Sequence, residues 1–180
     1  MTTQPIAPEP GIYSLKVTLV DSEPEVWRQV LIPAQISLSE LHLILQAAMG
    51  WENTRSYQFQ IGLGPDKSVL SEEDLLPAAI ACLENKQLYY AYDPKNGWLH
   101  RIEIEPSKPD LEGNISLPFC TAGHAACPPE NTGGVWGYDE LLARLENTAD
   151  PEYIDLLDKY GDLDPDYFSL EAANNRIKNL

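Results

Sequence analysis

The sequence predicts an α+β fold in which two β-hairpins and a further strand form a twisted mixed sheet around one central helix, followed by short C-terminal helices. Alternating apolar residues occur in two pairs of segments, and each pair is joined by turn-forming residues. One segment between the pairs has helical spacing with clear start and stop signals. The order β-β-α-β-(α)-β-β, followed by helices, is β-grasp-like in outline.

Apolar alternation predicts the two hairpins. The first pairs residues 12–20 with residues 26–32 across the turn Asp21-Ser22-Glu23-Pro24. Its first strand places one set of apolar side chains on a single face: Tyr13, Leu15, Val17 and Leu19. The second hairpin pairs residues 88–92 with residues 98–105, and Asn96-Gly97 is its turn dipeptide.

A helix over residues 38–49 is the strongest local prediction. Ser37 and Glu40 have the spacing of a capping box, and Gly50 ends the pattern. The apolar positions recur at helical spacing: Leu38, Leu41, Leu45 and Ala48. His42 lies beside this apolar stripe, so we expect it at the boundary of the core.

The remaining elements are shorter. Residues 57–61 alternate as a third strand, and residues 71–86 form one or two short helices interrupted at Pro77. A polar connector over residues 105–116 leads to the C-terminal part. Three helices are predicted there: Asp139–Glu146, then Pro151–Tyr160 between Asp150 and Gly161, then Ser169–Lys178.

Length and composition indicate one domain over residues 11–180, preceded by a flexible N-terminal arm over residues 1–10. The net charge is −16 and no region is basic, which disfavours broad nucleic-acid binding and binding to anionic membranes. The N-terminus has neither the basic nor the apolar region of a signal peptide, and the three cysteines are sparse and odd in number. We therefore expect a cytoplasmic protein.

Four blocks, in this order, carry a resemblance to a known family: "VWRQVLIPAQISLSELHLILQAAMGWEN", "YAYDPKNGWLH", "CTAGHAACPPENTGGVWGYDELL" and "DPDYFSLEAANNRI". Over about residues 12–178 the chain resembles the plasmid pRiA4b open-reading-frame-three-like family. The resemblance implies an α+β fold without a defined activity, and it implies a plasmid or mobile-element context.

This chain departs from the family pattern at three places. Members often have His where this chain reads Ser56-Tyr57-Gln58-Phe59, and Phe-Gly-Asp where it reads Pro94-Lys95-Asn96. A third Cys often follows the "CPPE" block, where this chain has Thr132. These departures weaken any metal or catalytic role that depends on those positions.

A metal site is one hypothesis for the third block. By count, Cys120, His124 and Cys127 together with His100 give the four ligands that a structural zinc needs, although the spacing of the cysteines is not that of a tight zinc knuckle. The alternative is that both cysteines are buried small apolar side chains. We therefore name zinc as a candidate cofactor with no committed site.

Acid-base or thiol chemistry is a second hypothesis. His100 alternates onto an apolar strand face, with Asp93 across the hairpin and the Cys120–Cys127 loop and Glu130 as candidate neighbours. Cys127 beside His100 would make a thiol nucleophile, although the sequence supplies no third member or oxyanion donors. The alternative is a hydrogen-bonded histidine in the core.

The third block also predicts a rigid corner between the sheet and the C-terminal helices. Five residues form it: Pro128, Gly133, Gly134, Trp136 and Tyr138. Because no catalytic set assembles, the sequence favours a non-enzymatic binding or scaffold protein whose acidic surface and aromatic corner contact another protein. The alternatives are a metal- or thiol-dependent site at His100, Cys120 and Cys127, and an accessory protein of a plasmid or mobile element.

Overall fold

Residues 11–83, 87–107 and 116–180 are described by a computed structural model, in which a seven-stranded sheet packs against helices. The strands are β1 (Ile12–Leu19), β2 (Trp27–Pro33), β3 (Tyr57–Ile61), β4 (Ser68–Val69), β5 (Leu88–Tyr92), β6 (Trp98–Ser107) and β7 (Phe119–His124). The helices are α1 (Leu38–Met49), α2 (Leu76–Ala81), α3 (Gly134–Glu146), α4 (Tyr153–Tyr160) and α5 (Leu170–Lys178), and a 3₁₀ turn spans Glu130–Thr132.

Both predicted hairpins are present, and β1 and β6 join them into one sheet. The spatial order is β4-β3-β5-β6-β1-β2-β7, and every pairing among the described strands is antiparallel. The α+β class is therefore confirmed, and the expected mixed sheet is wrong. The β-grasp-like arrangement around one central helix stays a prediction. A second helix, α5, packs against both α1 and β7.

Side chains from alternate positions build the core face of the sheet. Leu15 lies opposite Val30 on β2 and opposite Ile104 on β6, and Leu15 and Val30 are fully buried. The first hairpin turns at a left-handed Asp21, as the turn-forming residues predict. The alternation of residue types therefore fixed which face of the sheet is buried.

Helix α1 has the predicted bounds and covers this core face. Ser37 and Glu40 form the capping box, with the Ser37 hydroxyl accepting from Glu40 N at 3.2 Å. Gly50 ends the helix in the left-handed conformation at φ 96°. The sequence signals and the structure agree here because a buried apolar stripe and both caps specify the same twelve residues.

Three other helices begin where the sequence did not place them. Helix α2 begins at Leu76, so Pro77 lies in its first turn rather than interrupting it. Proline fits there because the first backbone N–H groups of a helix have no acceptor within the helix. Helix α3 begins at Gly134 rather than Asp139, and α4 begins at Tyr153 rather than Pro151.

Strand β7 belongs to the segment that was predicted as a corner. It pairs with β2 through a register irregularity between Gln29 and Val30. On its other edge, the side chain of Asn174 from α5 accepts from Cys120 N and donates to Cys120 O, both at 2.8 Å. Helix α5 thereby supplies the hydrogen bonds that a neighbouring strand would otherwise make.

Some expectations fall outside the described residues. The flexible arm over residues 1–10, most of the polar connector, and the end of the segment 71–86 lie there. Among the described helices, none combines the length and the apolar character that crossing a membrane requires.

Candidate functional site

The loop after β7 is fastened to the loop after α1. The Trp51 indole donates from Nε1 to Pro128 O at 2.8 Å, and the Glu130 carboxylate accepts from Glu52 N and from the Thr54 hydroxyl. The predicted candidate Glu130 is thus used to hold two loops together. Of the five residues of the predicted corner, Pro128 takes part in these contacts, and the rigid corner stays a prediction.

Two glycines of the corner are required by close backbone contacts. Gly134 has φ 78°, and a Cβ added there would lie 1.8 Å from Asn96 O in the turn between β5 and β6. A Cβ at Gly137 would lie 1.7 Å from Thr132 O. Gly134 and Gly137 are therefore required by the close approach of backbone to backbone, whereas Gly133 is required by its left-handed conformation at φ 87°.

Asp93 lies at the same turn. It is buried and left-handed at φ 47°, and its carboxylate accepts from Asn96 Nδ2 at 2.6 Å. Arg55 lies between this carboxylate and the corner: its Nε is 3.8 Å from Asp93, and its Nη2 donates to Asn131 Oδ1 at 2.6 Å. Asp93 is therefore a turn residue that reaches the corner through Arg55.

A small polar cavity of about 320 Å³ lies between the two loops. Trp51, Thr54, Cys127 and Glu130 are among its lining residues. Of the predicted candidates, the structure brings Cys127 and Glu130 to this cavity, and His100, Cys120 and Asp93 are not among its lining.

His100 lies in the core. It is fully buried, its Nδ1 is 3.2 Å from Tyr90 O, and its ring is edge-on to Trp51 with centroids 5.2 Å apart. Burial lowers the pKa of His100 to about 4, so the ring is neutral at pH 7. Among the described residues, no hydrogen-bond partner meets its Nε2.

The two cysteines of the third block have raised pKa values. Burial raises the pKa of the Cys127 thiol to about 12 and also raises that of Cys120. A thiol attacks as the thiolate, so neither group is activated at neutral pH. Cys82, Cys120 and Cys127 are all free.

The four weak metal candidates do not form a ligand set among the described residues. His124 is exposed, and its Nδ1 is 3.0 Å from Glu25 O. Cys120 is on β7 beside α5, Cys127 lines the cavity, and His100 is in the core. In the part of the chain that the structure describes, no group of three or more His, Cys, Asp or Glu side chains is placed to hold a metal ion.

Arg28 is a buried charge beside the corner that the sequence reasoning missed. Its guanidinium donates to Ala48 O at 3.1 Å, to His124 O at 2.8 Å and to Ala125 O at 3.0 Å. It also lies over the Phe168 ring, 4.2 Å from the centroid. The sequence held one signal for the burial of Arg28. It lies at alternate positions with Val30 and Ile32 on β2, and therefore on the same buried face of the strand.

The expectation that His42 lies at the core boundary is wrong. His42 is 2% exposed and stacks on Tyr57 with ring centroids 3.5 Å apart. Its Nδ1 is 2.8 Å from the Tyr90 hydroxyl, and its Nε2 is 2.8 Å from Asn53 Oδ1. Burial lowers the pKa of His42, and these two contacts suit the neutral ring.

The two aromatic residues of the predicted corner have opposite environments. Tyr138 is fully buried, whereas Trp136 is 80% exposed, so only the tyrosine anchors the corner. Val135 next to Trp136 is buried, which holds this turn of α3 against the core. The indole of Trp136 is therefore presented to solvent from a fixed backbone.

A groove of about 470 Å³ separates α3 from α4. Its apolar lining includes Leu141 from α3, together with Leu156 and Tyr160 from α4. Arg144 lines it as well, and its guanidinium pairs with Asp150 at 2.8 Å and with Glu152 at 2.5 Å. We call residues 134–167, which include both helices, the acidic lobe, because they contain ten acidic and two basic residues.

Comparison with known proteins finds similarity along most of the chain. The profile of the family described as "Plasmid pRiA4b ORF-3-like protein" matches residues 11–172. Uncharacterized protein y4hQ of Sinorhizobium fredii (strain NBRC 101917 / NGR234) is 37% identical over 165 residues, which are 87% of this chain and 84% of that protein. The crystal structure of a protein of unknown function, MM3350 from Methanosarcina mazei Go1, has a TM-score of 0.74 and 30% identity, covering 89% of this chain and 96% of that one.

Proposed function

The chain belongs to the plasmid pRiA4b ORF-3-like family, and from that premise we propose that it is a non-enzymatic protein-binding module whose contact surface is the acidic lobe around Trp136. The resemblance found in the sequence is thereby confirmed. The two relatives are an uncharacterised protein and a protein of unknown function, so the proposal rests on the surface of this chain.

The exposure of Trp136 is the observation that carries the proposal. Tryptophan is the side chain with the most apolar surface, and leaving 80% of it in water forgoes the stabilisation that burial would give. Tryptophan is also among the residues that contribute most to binding at protein interfaces. Trp136 is exposed on α3, whose opposite face is buried. Such a side chain can anchor a partner protein at an interface.

The state of the candidate catalytic groups supports the non-enzymatic part of the proposal. A general base works best with a pKa near the operating pH, and the pKa of His100 is about 4. The pKa of the Cys127 thiol is about 12, which leaves almost no thiolate at pH 7. The alternative of a thiol-dependent site at His100, Cys120 and Cys127 is therefore disfavoured.

The family description also fits the alternative of an accessory protein of a plasmid or mobile element. A protein-binding module is compatible with that role, because accessory proteins can act through other proteins. We further propose that the module works in the cytoplasm, which the sparse and odd number of cysteines in the sequence favours.

The proposal is tested with the tagged chain of 180 residues, expressed in its source cells. We would compare the wild type with Trp136→Ser and with Leu63→Ser, a matched control in which a side chain that is 50% exposed is changed away from the lobe. We expect a near-stoichiometric partner that the wild type and Leu63→Ser both retain and that Trp136→Ser loses by about tenfold, or about 1.4 kcal/mol.

Folding provides the internal check of this experiment. Because Trp136 is exposed, Trp136→Ser should change the free energy of unfolding by no more than about 0.5 kcal/mol. The proposal is overturned if a well-folded Trp136→Ser protein retains the same associated proteins as the wild type, or if neither protein has a partner.

A further inference from the structure

Resting on the proposed function, we infer that the partner contributes a Lys- and Arg-rich amphipathic helix, which lies along the groove between α3 and α4 and places an apolar side chain inside it. The groove, the charge of its surroundings and the position of Trp136 each indicate part of this ligand.

The groove fits an apolar anchor. Its volume of about 470 Å³ is within the range of roughly 300 to 1,000 Å³ that is usual for ligand pockets. Leu141, Leu156 and Tyr160 supply apolar lining from both helices. A groove between two helices is the ordinary receptor for the apolar face of a third.

The charge around the groove selects a cationic ligand. Glu140 on α3 and Asp155 on α4 are exposed at the groove, on opposite walls. Both basic residues of the lobe also line the groove: Arg144 pairs with Asp150 and Glu152, and Lys159 lies over the Tyr160 ring at 4.8 Å. With ten acids against two bases in the lobe, a basic segment is complementary and an acidic one is repelled.

Trp136 extends the same surface. It lies four positions before Glu140 on α3, a spacing that puts the two side chains on adjacent turns of one helix face. Glu140 lines the groove, so the exposed indole flanks it. An indole face also attracts Lys and Arg, which makes Trp136 a second point of contact for a basic helix.

The test uses a defined probe, a fluorescein-labelled peptide of about 14 residues in which Leu occurs at helical spacing and Lys fills the other positions. A second peptide replaces each Leu with Ser and keeps the charge. Binding to the full chain is measured by fluorescence anisotropy at about 0.05 M and about 0.15 M NaCl, since salt screens contacts that depend on charge alone.

Two double variants with the same change in net charge separate the groove from the rest of the surface. Glu140→Lys with Asp155→Lys alters the groove, and Asp66→Lys with Glu73→Lys alters exposed acids outside the lobe. We expect the groove variant to weaken binding of the Leu/Lys peptide at least about tenfold and the control variant to weaken it less than about twofold. The Ser-substituted peptide should bind the wild type at least about tenfold more weakly.

Each other outcome overturns the inference. Equal weakening in both double variants, or equal binding of the two peptides, would mean attraction to overall charge, and no binding would remove the basic helix as the ligand. None of these results affects the retention experiment with Trp136→Ser, so the inference can fail while the proposed function stands. A retained partner without any basic segment would be that case.

Discussion

At the scale of single residues, two of the three histidines belong to one cluster of aromatic rings. His42 contacts Tyr57 and Tyr90, while His100 contacts Tyr90 and Trp51. Gln46 Nε2 donates to the Tyr90 hydroxyl at 2.8 Å, which leaves that hydroxyl to donate to Nδ1 of His42. A second proton, on Nδ1 of His42, would therefore face the Tyr90 hydroxyl, which is itself the donor in that contact. A second proton on His100 would place a positive charge in the core.

Acid should therefore destabilise the protein through these histidines. Their pKa values in the folded state are lowered, to about 4 for His100, while an unfolded histidine titrates near 6.5. Between those values the unfolded chain binds more protons, so stability is greatest above about pH 6.5 and falls as the pH decreases toward 4. His100 alone accounts for a loss of about 3 kcal/mol at pH 4, measurable by urea unfolding from pH 7.5 downward.

Glutamine variants assign this pH dependence. His42→Gln and His100→Gln should each flatten the dependence of the unfolding free energy on pH in this window, because each removes a histidine whose pKa is lowered in the folded state. Carboxylates also titrate toward the acid end, but their contribution is common to the wild type and both variants. An unchanged slope in His100→Gln would contradict the assignment.

At the scale of elements, the edge of β7 is closed by one side chain of a helix. β7 is the last strand in the sheet order, so one of its edges has none of the described strands beside it. Asn174 presents an amide to Cys120 that has the donor and acceptor of a peptide group. The contact fixes α5 on the sheet, and α5 in turn places Arg176 Nε 2.8 Å from Ala47 O in the last turn of α1.

Removing this amide should weaken the junction. Asn174→Ala leaves the N–H and C=O of the buried Cys120 without these partners, and each such group costs about 1 to 3 kcal/mol. We expect the free energy of unfolding to fall by about 2 to 4 kcal/mol and the amide of Cys120 to lose protection in hydrogen exchange.

Asn175→Ala is the matched control, because the neighbouring asparagine is exposed on the same helix and the change in helix propensity is the same. It should leave both the unfolding free energy and the exchange of Cys120 near their wild-type values. If the two alanine variants proved equally stable, the edge contact would have no energetic role.

The elements of this fold differ in how far the local sequence specifies them. The two hairpins and α1 were predicted because periodicity, turns and caps all indicate the same bounds. Strand β7 has only Phe119 and Cys120 as strong apolar residues beside a Gly and an exposed His, so its pairing with β2 depends on tertiary contacts. The early start of α3 likewise depends on the turn of the second hairpin, where Asn96 contacts Gly134.

The candidate site shows the same limit. The corner was predicted because Pro128 and the Gly-Gly pair constrain the backbone locally, and it stays a prediction. Which candidate side chains contact one another could not be predicted, because that depends on how loops far apart in the chain pack together. Trp51 and Glu130 form their contacts across 77 and 78 positions of the chain, and neither has a local pattern.

At the scale of the whole molecule, the charge is concentrated away from the core. The acidic lobe carries ten acids against two bases, and most of its acids are exposed. Two like charges about 10 Å apart in water repel by roughly 0.4 kcal/mol, and many such pairs act together. A surface suited to a basic partner is therefore one that destabilises the free protein.

Salt should then stabilise the free protein. Raising NaCl from about 0.02 M to about 0.5 M shortens the screening length well below the spacing of these charges, so the urea midpoint should rise.

A variant with Glu146→Gln, Asp155→Asn, Asp158→Asn and Asp162→Asn, all exposed, should be more stable at low salt and less sensitive to salt. The same variant should bind the Leu/Lys peptide more weakly, since Asp155 lines the groove. If neutralisation left low-salt stability unchanged while binding fell, the acids would serve recognition without opposing the fold.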